Sequence, residues 1–153
     1  MGTEALAFHI PRSLKIEHDE LHADLARANK EPGEIGAAAR EVARILHPHF
    51  VEEEEFALPP LGLLSLIATG EITPEMRPAI EMARRLKSEL EHMLSEHHAI
   101  IGALERLRSV VTTAGRPDVT AFAEKLVLHA QTEEEVLYPA AILVGQWLES
   151  KLR

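Results

Sequence analysis

The chain has no cysteine among its 153 residues. Disulfides, thiolate nucleophiles and Cys-based zinc or iron–sulfur sites are therefore excluded. Aromatic residues are scarce, with four Phe, one Tyr and one Trp. Basic charge is also short: 16 Lys and Arg stand against 25 Asp and Glu, a formal net charge of −9. That balance argues against a sequence-independent grip on nucleic-acid phosphates or anionic lipid. The longest apolar stretch, "FALPPLGLLSLIAT" at 56–69, is broken by Pro59, Pro60 and Gly62 and cannot span a bilayer. Residues 1–10, "MGTEALAFHI", carry neither the basic nor the long apolar region of a signal peptide, so a cytoplasmic location is expected.

What is present favours helix. Hydrophobic residues make up 46% of the chain, and Ala, Leu and Glu abound. The length suits a single domain over 1–153. Breakers leave long segments at 11–30, 34–58, 78–115 and 118–152. Pro11 suits a first helical position and Asp118 an N-cap. Pro48 predicts a kink in the second segment. No strand alternation is visible. Each segment instead carries an apolar seam in steps of three and four. The third reads Ala83, Leu86, Leu90, Met93, His97, Ile100, Leu104, Leu107, Val111; the fourth reads Val119, Phe122, Leu126, His129, Glu133, Val136, Ala140, Leu143, Trp147. The pattern predicts an all-α fold, an antiparallel up-down four-helix bundle. The longer link at 59–74 is expected to add a helical turn that caps one end.

The seams contain His18, His49, Glu53, His97, His129 and Glu133 where packing alone calls for leucine. A buried polar group without a partner costs about 1–3 kcal/mol, so the six need a common partner. They also repeat. "HPHFVEEEEFALPP" (47–60) aligns with "LHAQTEEEVLYPAA" (128–141), laying His49 on His129, Glu53 on Glu133 and Pro59 on Pro139, an offset of 129 − 49 = 80. "KIEHDELHADL" aligns with "LSEHHAIIGAL", laying Glu17-His18 on Glu96-His97 at an offset of 97 − 18 = 79. The chain is a helical hairpin written twice, and two pseudo-symmetric hairpins would bring two histidines and one glutamate from each half to the middle of the core. His and Glu at i and i+4 share a helix face. A metal cluster takes neutral imidazoles and ionised carboxylates together.

These residues resemble the hemerythrin-like (HHE cation-binding) family of four-helix bundles over roughly 11–148. The resemblance rests on the "EH" of His18, the "HFVEE" of His49 and Glu53, the "EH" of His97 and the "HAQTEEEVLYP" of His129 and Glu133. It implies two iron ions held by terminal histidines and bridged by the two carboxylates. Oxygen-carrying members have a second histidine one turn after the third-helix ligand; here that residue is Ile101, and His22 stands one turn after His18 instead. His22 is therefore expected as a fifth imidazole that has changed sides. Two six-coordinate irons offer about twelve positions. Five imidazoles, two bridging carboxylates and a bridging oxide or hydroxide leave about one open, or two without His22.

An open position suits a small ligand, dioxygen or peroxide. The leading reading is a di-iron protein that binds or senses such an oxidant. A peroxide-decomposing enzyme and a storage or structural site for zinc or manganese remain as alternatives. Each residue also has a plainer reading. The histidines could be hydrogen-bonded core residues, the glutamates a solvated run, and His22 a surface imidazole. Glu52, Glu54, Glu55, Glu134 and Glu135 are expected in solvent or as acceptors for imidazole N–H groups. His9, His47, His92 and His98 lie off the seams and are not expected to ligate. Tyr138 lies off the Glu133 face of an ideal helix; it should pack or reach solvent, with a redox role as the alternative. The "PPLGLLSLIAT" stretch is expected to be an end cap rather than a partner surface.

Overall fold

Prolines and glycines set most of the helix ends. In the computed structural model, which describes residues 9–152, helix α1 (Arg12–Asn29) follows Pro11 and α2 (Gly33–Glu52) follows Pro32. Gly33 turns between them at φ +72°, a left-handed value that glycine adopts without steric cost. After α2 come a π-helical turn (Glu53–Ala57), a 3-10 turn (Pro59–Leu63), the short α3 (Leu64–Ala68) and a second 3-10 turn (Pro74–Met76). Of these, the turn at Pro59–Leu63 and α3 supply the extra helical turn expected in the long link. Then follow α4 (Pro78–Ser88), α5 (Leu90–Ala114) and, past Gly115 in the left-handed conformation, α6 (Pro117–Thr132). A second π turn (Glu133–Leu137) leads into α7 (Tyr138–Lys151). The described residues include no strand, and none of their helices is long and apolar enough to cross a membrane. Residues 1–8, most of the segment read above for a signal peptide, lie outside the described residues.

Helix α1 packs on α2 and α6, α2 on α5, and α5 on α6, so the four close a ring, while α4 packs on α7. The ring encloses one apolar cluster that includes Leu21, Leu25, Leu46, Leu104, Phe122 and Leu126. A second cluster holds Phe56, Leu58, Leu86, Met93 and Tyr138. Along α1, α2, α5 and α6 and the two π turns, the buried histidines and glutamates fall between residues of these two clusters, so the polar layer is sandwiched between apolar ones.

The structure corrects several expectations. The third segment breaks at Glu89, with φ −100° and ψ 9°, into α4 and α5. Helix α2 runs through Pro48 without interruption, and the irregularity falls later, at Glu53–Ala57. Pro48 does not cause it, because the π turn recurs at Glu133–Leu137, where the residue matching Pro48 is Leu128. Both π turns instead precede a matched proline, Pro59 or Pro139. Proline cannot donate the i→i−4 bond, so the helical ladder lacks one donor there. The break is taken as an i→i+5 bond: the Leu58 N–H reaches the Glu53 carbonyl at 2.9 Å, and the Tyr138 N–H reaches that of Glu133.

One added residue per turn rotates everything downstream. The expected seam past Glu133 therefore fails: Val136, Leu143 and Trp147 are 55%, 61% and 49% exposed. Tyr138, Ala141, Val144 and Leu148 take the core instead. Leu148→Ala should accordingly lower the stability against urea by about 2–5 kcal/mol. Leu143→Ala, a seam position on an ideal helix, should stay within about 0.5 kcal/mol of the wild type. Equal losses at the two positions would contradict the shifted register.

Candidate metal centre

Among the described residues, six polar side chains are fully or almost fully buried: His18, His49, Glu53, His97, His129 and Glu133. They form two overlapping nests. In one, His18, His129, Glu53 and Glu133 each offer a ligand atom within 4.8 Å of the others; in the second, His49, His97, Glu53 and Glu133 do the same. Both glutamates belong to both nests. Glu133 divides its oxygens, with Oε1 lying 3.2 Å from His97 Nε2 and Oε2 lying 3.3 Å from His129 Nε2. Glu53 turns one oxygen to both sides, its Oε1 3.4 Å from His49 Nε2 and 4.0 Å from His18 Nε2. The i,i+4 spacing on the helix places each His–Glu pair; the packing of α1 on α2 and of α5 on α6 adds the other two imidazoles.

Every inward imidazole is held from behind by a carboxylate. His18 Nδ1 faces Glu54 at 3.4 Å, His49 Nδ1 faces Glu96 at 3.0 Å, and His97 Nδ1 faces Glu134 at 2.9 Å. His129 Nδ1 faces Glu17. An Nδ1–H donated to a carboxylate fixes the tautomer and leaves Nε2 with a bare lone pair. The four Nε2 atoms all point into the nests. His18 Nε2 and His129 Nε2 stand 3.1 Å apart, two acceptors face to face with no hydrogen to share. Glu53 Oε1 and Glu133 Oε2 are buried without a hydrogen-bond partner. Bare lone pairs and orphaned carboxylate oxygens directed at common points are the donor set that a cation needs, so these residues fit bound metal.

Burial governs the titration of the metal-free site. It lowers the His18 imidazole to about 4, with His129 adding to the effect, and the His49 imidazole to about 3, with His97 adding to it. It also lowers His97 and His129, against the opposing pull of Glu134 and Glu17. Glu53 moves the other way: burial raises its carboxyl well above the ordinary range.

The structure does not bring His22 into either nest. Its ring is half-buried and stacks on His47, with centroids 4.9 Å apart. Phe50 lies against both His18 and His22. His9, His47, His92 and His98 are exposed, as the seams imply. His92 joins Glu52 and Glu96 in a surface group, 3.4 and 3.3 Å from their carboxylates.

Sequence reasoning missed three residues. Glu17 and Glu96 stand behind the histidine of the opposite motif, and the repeated Glu-His dipeptide was their signal. Tyr138 is the third: it packs, as one of its two expected placements had it, but faces the centre rather than lying off the Glu133 face. The π turn carries it into the centre, where it is fully buried with its hydroxyl 3.0 Å from Glu53 Oε2. The matched prolines were the available clue.

The titration has a testable consequence. Below about 6.5 the unfolded imidazoles take up protons that the buried ones refuse, so metal-free stability falls as the pH drops from 6.5 toward about 4 and 3. Above 4.5 the unfolded Glu53 releases a proton that the folded one keeps, so stability also falls as the pH rises. Each group contributes a slope of at most about 1.4 kcal/mol per pH unit. The imidazoles outnumber Glu53 where the windows overlap, so the cluster's contribution should peak near pH 6.5 in urea unfolding of the metal-free chain. Replacing His18 and His49 by Leu should flatten the acid limb; an unchanged limb would contradict the assignment.

No curated protein and no solved structure matches the chain. The family model of the hemerythrin HHE cation binding domain matches residues 9–141. That span includes both nests and the carboxylates behind them, and the chain belongs to the hemerythrin HHE cation-binding family.

Proposed function

We propose that the two nests hold two iron ions, and that the centre binds or senses dioxygen or a related oxidant at a coordination position the protein leaves open. In this reading α1, α2 with its π turn, α4–α5 and α6–α7 are the four members of an up-down bundle. Side-chain pairs support opposed directions. His18 meets Phe50 while His22 meets His47, and Glu17 meets His129 while Glu20 meets Lys125. The observation that carries the proposal is the sharing of Glu53 and Glu133 between two nests of otherwise separate imidazoles.

Iron suits mixed imidazole and carboxylate ligation and supplies a one-electron redox change when bound. The chain's own residues do the rest. Glu17, Glu54, Glu96 and Glu134 hold the four imidazoles in the ligating tautomer. Leu21, Leu25, Ile100, Leu104 and Leu126, all buried, form an apolar wall that limits water on one side. With His22 outside the nests, a bridging oxide or hydroxide would leave about two of twelve positions open.

Metal analysis of protein from its native source should give two irons per chain. Anaerobically reduced protein should be nearly colourless and should gain a near-ultraviolet charge-transfer band in air. Iron-loaded protein that gains no such band would overturn the oxidant-binding reading. Zinc or manganese in place of iron would move the assignment to a storage or structural site. Sustained turnover of hydrogen peroxide would make the centre an enzyme. Glu96→Gln, which weakens the hold on His49 without removing a nest residue, should cost about 10–100-fold in metal affinity, measured by chelator competition.

A further inference from the structure

We infer that the hydroxyl oxygen of Tyr138 is itself a ligand of the centre, serving the His49 and His97 nest and making the two metal positions unequal. This rests on the two-metal reading above. The Tyr138 hydroxyl lies 3.2 Å from His97 Nε2, 3.4 Å from His49 Nε2 and 3.0 Å from Glu53 Oε2. A phenol has one hydrogen and can donate to one of these three acceptors. Both nitrogens are lone-pair bearers, because their Nδ1–H groups are committed to Glu96 and Glu134. Counted over both nests, the Tyr138 hydrogen and at most two carboxyl hydrogens must serve four Nε2 lone pairs, so phenol, imidazoles and carboxylates converge with too few hydrogens among them. Donors bound to one cation at about 2.0–2.2 Å, at right angles, stand about 3 Å apart, which is the spacing found here.

The repeat supplies an internal comparison. The residue matching Tyr138 is Leu58, from 138 − 80, and it too follows a π turn and is fully buried. Packing at this position is thus served by an alkyl side chain in one half of the chain. The other half carries a phenol, directed at the nest. Among the described residues the His18 and His129 nest has no counterpart donor; Phe50 stacks on His18 there, with centroids 4.0 Å apart. With one protein donor fewer, that position is the one left open to a small ligand.

On ligation the phenol O–H bond breaks and the oxygen lone pair forms the bond to the cation. The proton passes to solvent, as it does from any ligand that must be ionised. No electron is transferred. Nearby positive charge favours the ionised phenol and so opposes the effect of burial.

The chain contains a single tyrosine, so every tyrosinate signal belongs to Tyr138. Zinc, a colourless probe, should bind at two ions per chain to wild type and to Tyr138→Phe. Loading should release about one proton more per chain from the wild type. It should also generate the ultraviolet difference spectrum of tyrosinate at neutral pH. Ferric iron should give the wild type a visible phenolate-to-metal band that the variant lacks. Equal proton release and matching visible spectra, with two ions bound to each, would overturn the inference. Fewer than two ions on the wild type would overturn the two-metal reading and the inference with it. Should Tyr138→Phe fail to fold, resonance Raman of the iron-loaded wild type decides alone: enhanced tyrosinate modes support ligation and their absence rejects it.

Discussion

Four imidazole nitrogens, each with a bare lone pair, face two carboxylates inside an apolar core, and the rest of the molecule is arranged around that fact. Protons cannot settle it. With the four Nδ1–H groups committed outward, the inward Nε2 atoms are acceptors only. Even if Glu53 and Glu133 were both protonated, two carboxyl hydrogens and the Tyr138 hydroxyl would make three donors for four nitrogens. Protonating the imidazoles instead would bury positive charge, and burial resists it, holding His18 and His49 far below their ordinary range. Cations are the partners that satisfy lone pairs and carboxylates together, which is why membership in a cation-binding family and the physics of this core agree.

The backbone bends to the same requirement. A regular α-helix through the fourth segment would put Val136 and Leu143 in the core and turn Tyr138 away. The proline at 139 denies the ladder one donor, the π turn at Glu133–Leu137 absorbs the defect, and the face of the helix rotates by one residue. The same device at Glu53–Ala57 precedes Pro59, after which the chain leaves the helix for 3-10 turns. The duplicated hairpin thus repeats a backbone irregularity as faithfully as it repeats its histidines, and in one half the irregularity delivers a phenol to the centre.

Much of this was legible in the sequence. The helical periodicity, the breakers at Pro11, Gly33 and Gly115, and the doubled His-x-x-x-Glu motif were enough to name all six buried polar residues, because i,i+4 geometry is a local property. What lay hidden depends on contacts between helices or on the local helix type. His22 sits one turn from His18, yet its ring packs edge-on against Phe50 of α2 and stacks on His47, outside both nests. Glu17 and Glu96 act across helix interfaces, on histidines 112 and 47 positions away in the chain. The register beyond Glu133 assumed 3.6 residues per turn, and one wide turn is enough to exchange exposed and buried faces.

The carboxylates behind the imidazoles also bind the helices into a ring. Glu17 on α1 holds His129 on α6, Glu134 beyond α6 holds His97 on α5, Glu96 on α5 holds His49 on α2, and Glu54 beyond α2 holds His18 on α1. Each contact crosses one helix interface, and together they cross all four. Each therefore positions a nest nitrogen and fastens two helices at once. A cation drawn to the nitrogens makes the Nδ1–H groups better donors to those same carboxylates. Ligand binding energy consequently appears as bundle stability, and the affinity of the centre depends on the ring being closed. The outer carboxylates are partly exposed, from 18% for Glu96 to 41% for Glu17, while the imidazoles they face are buried.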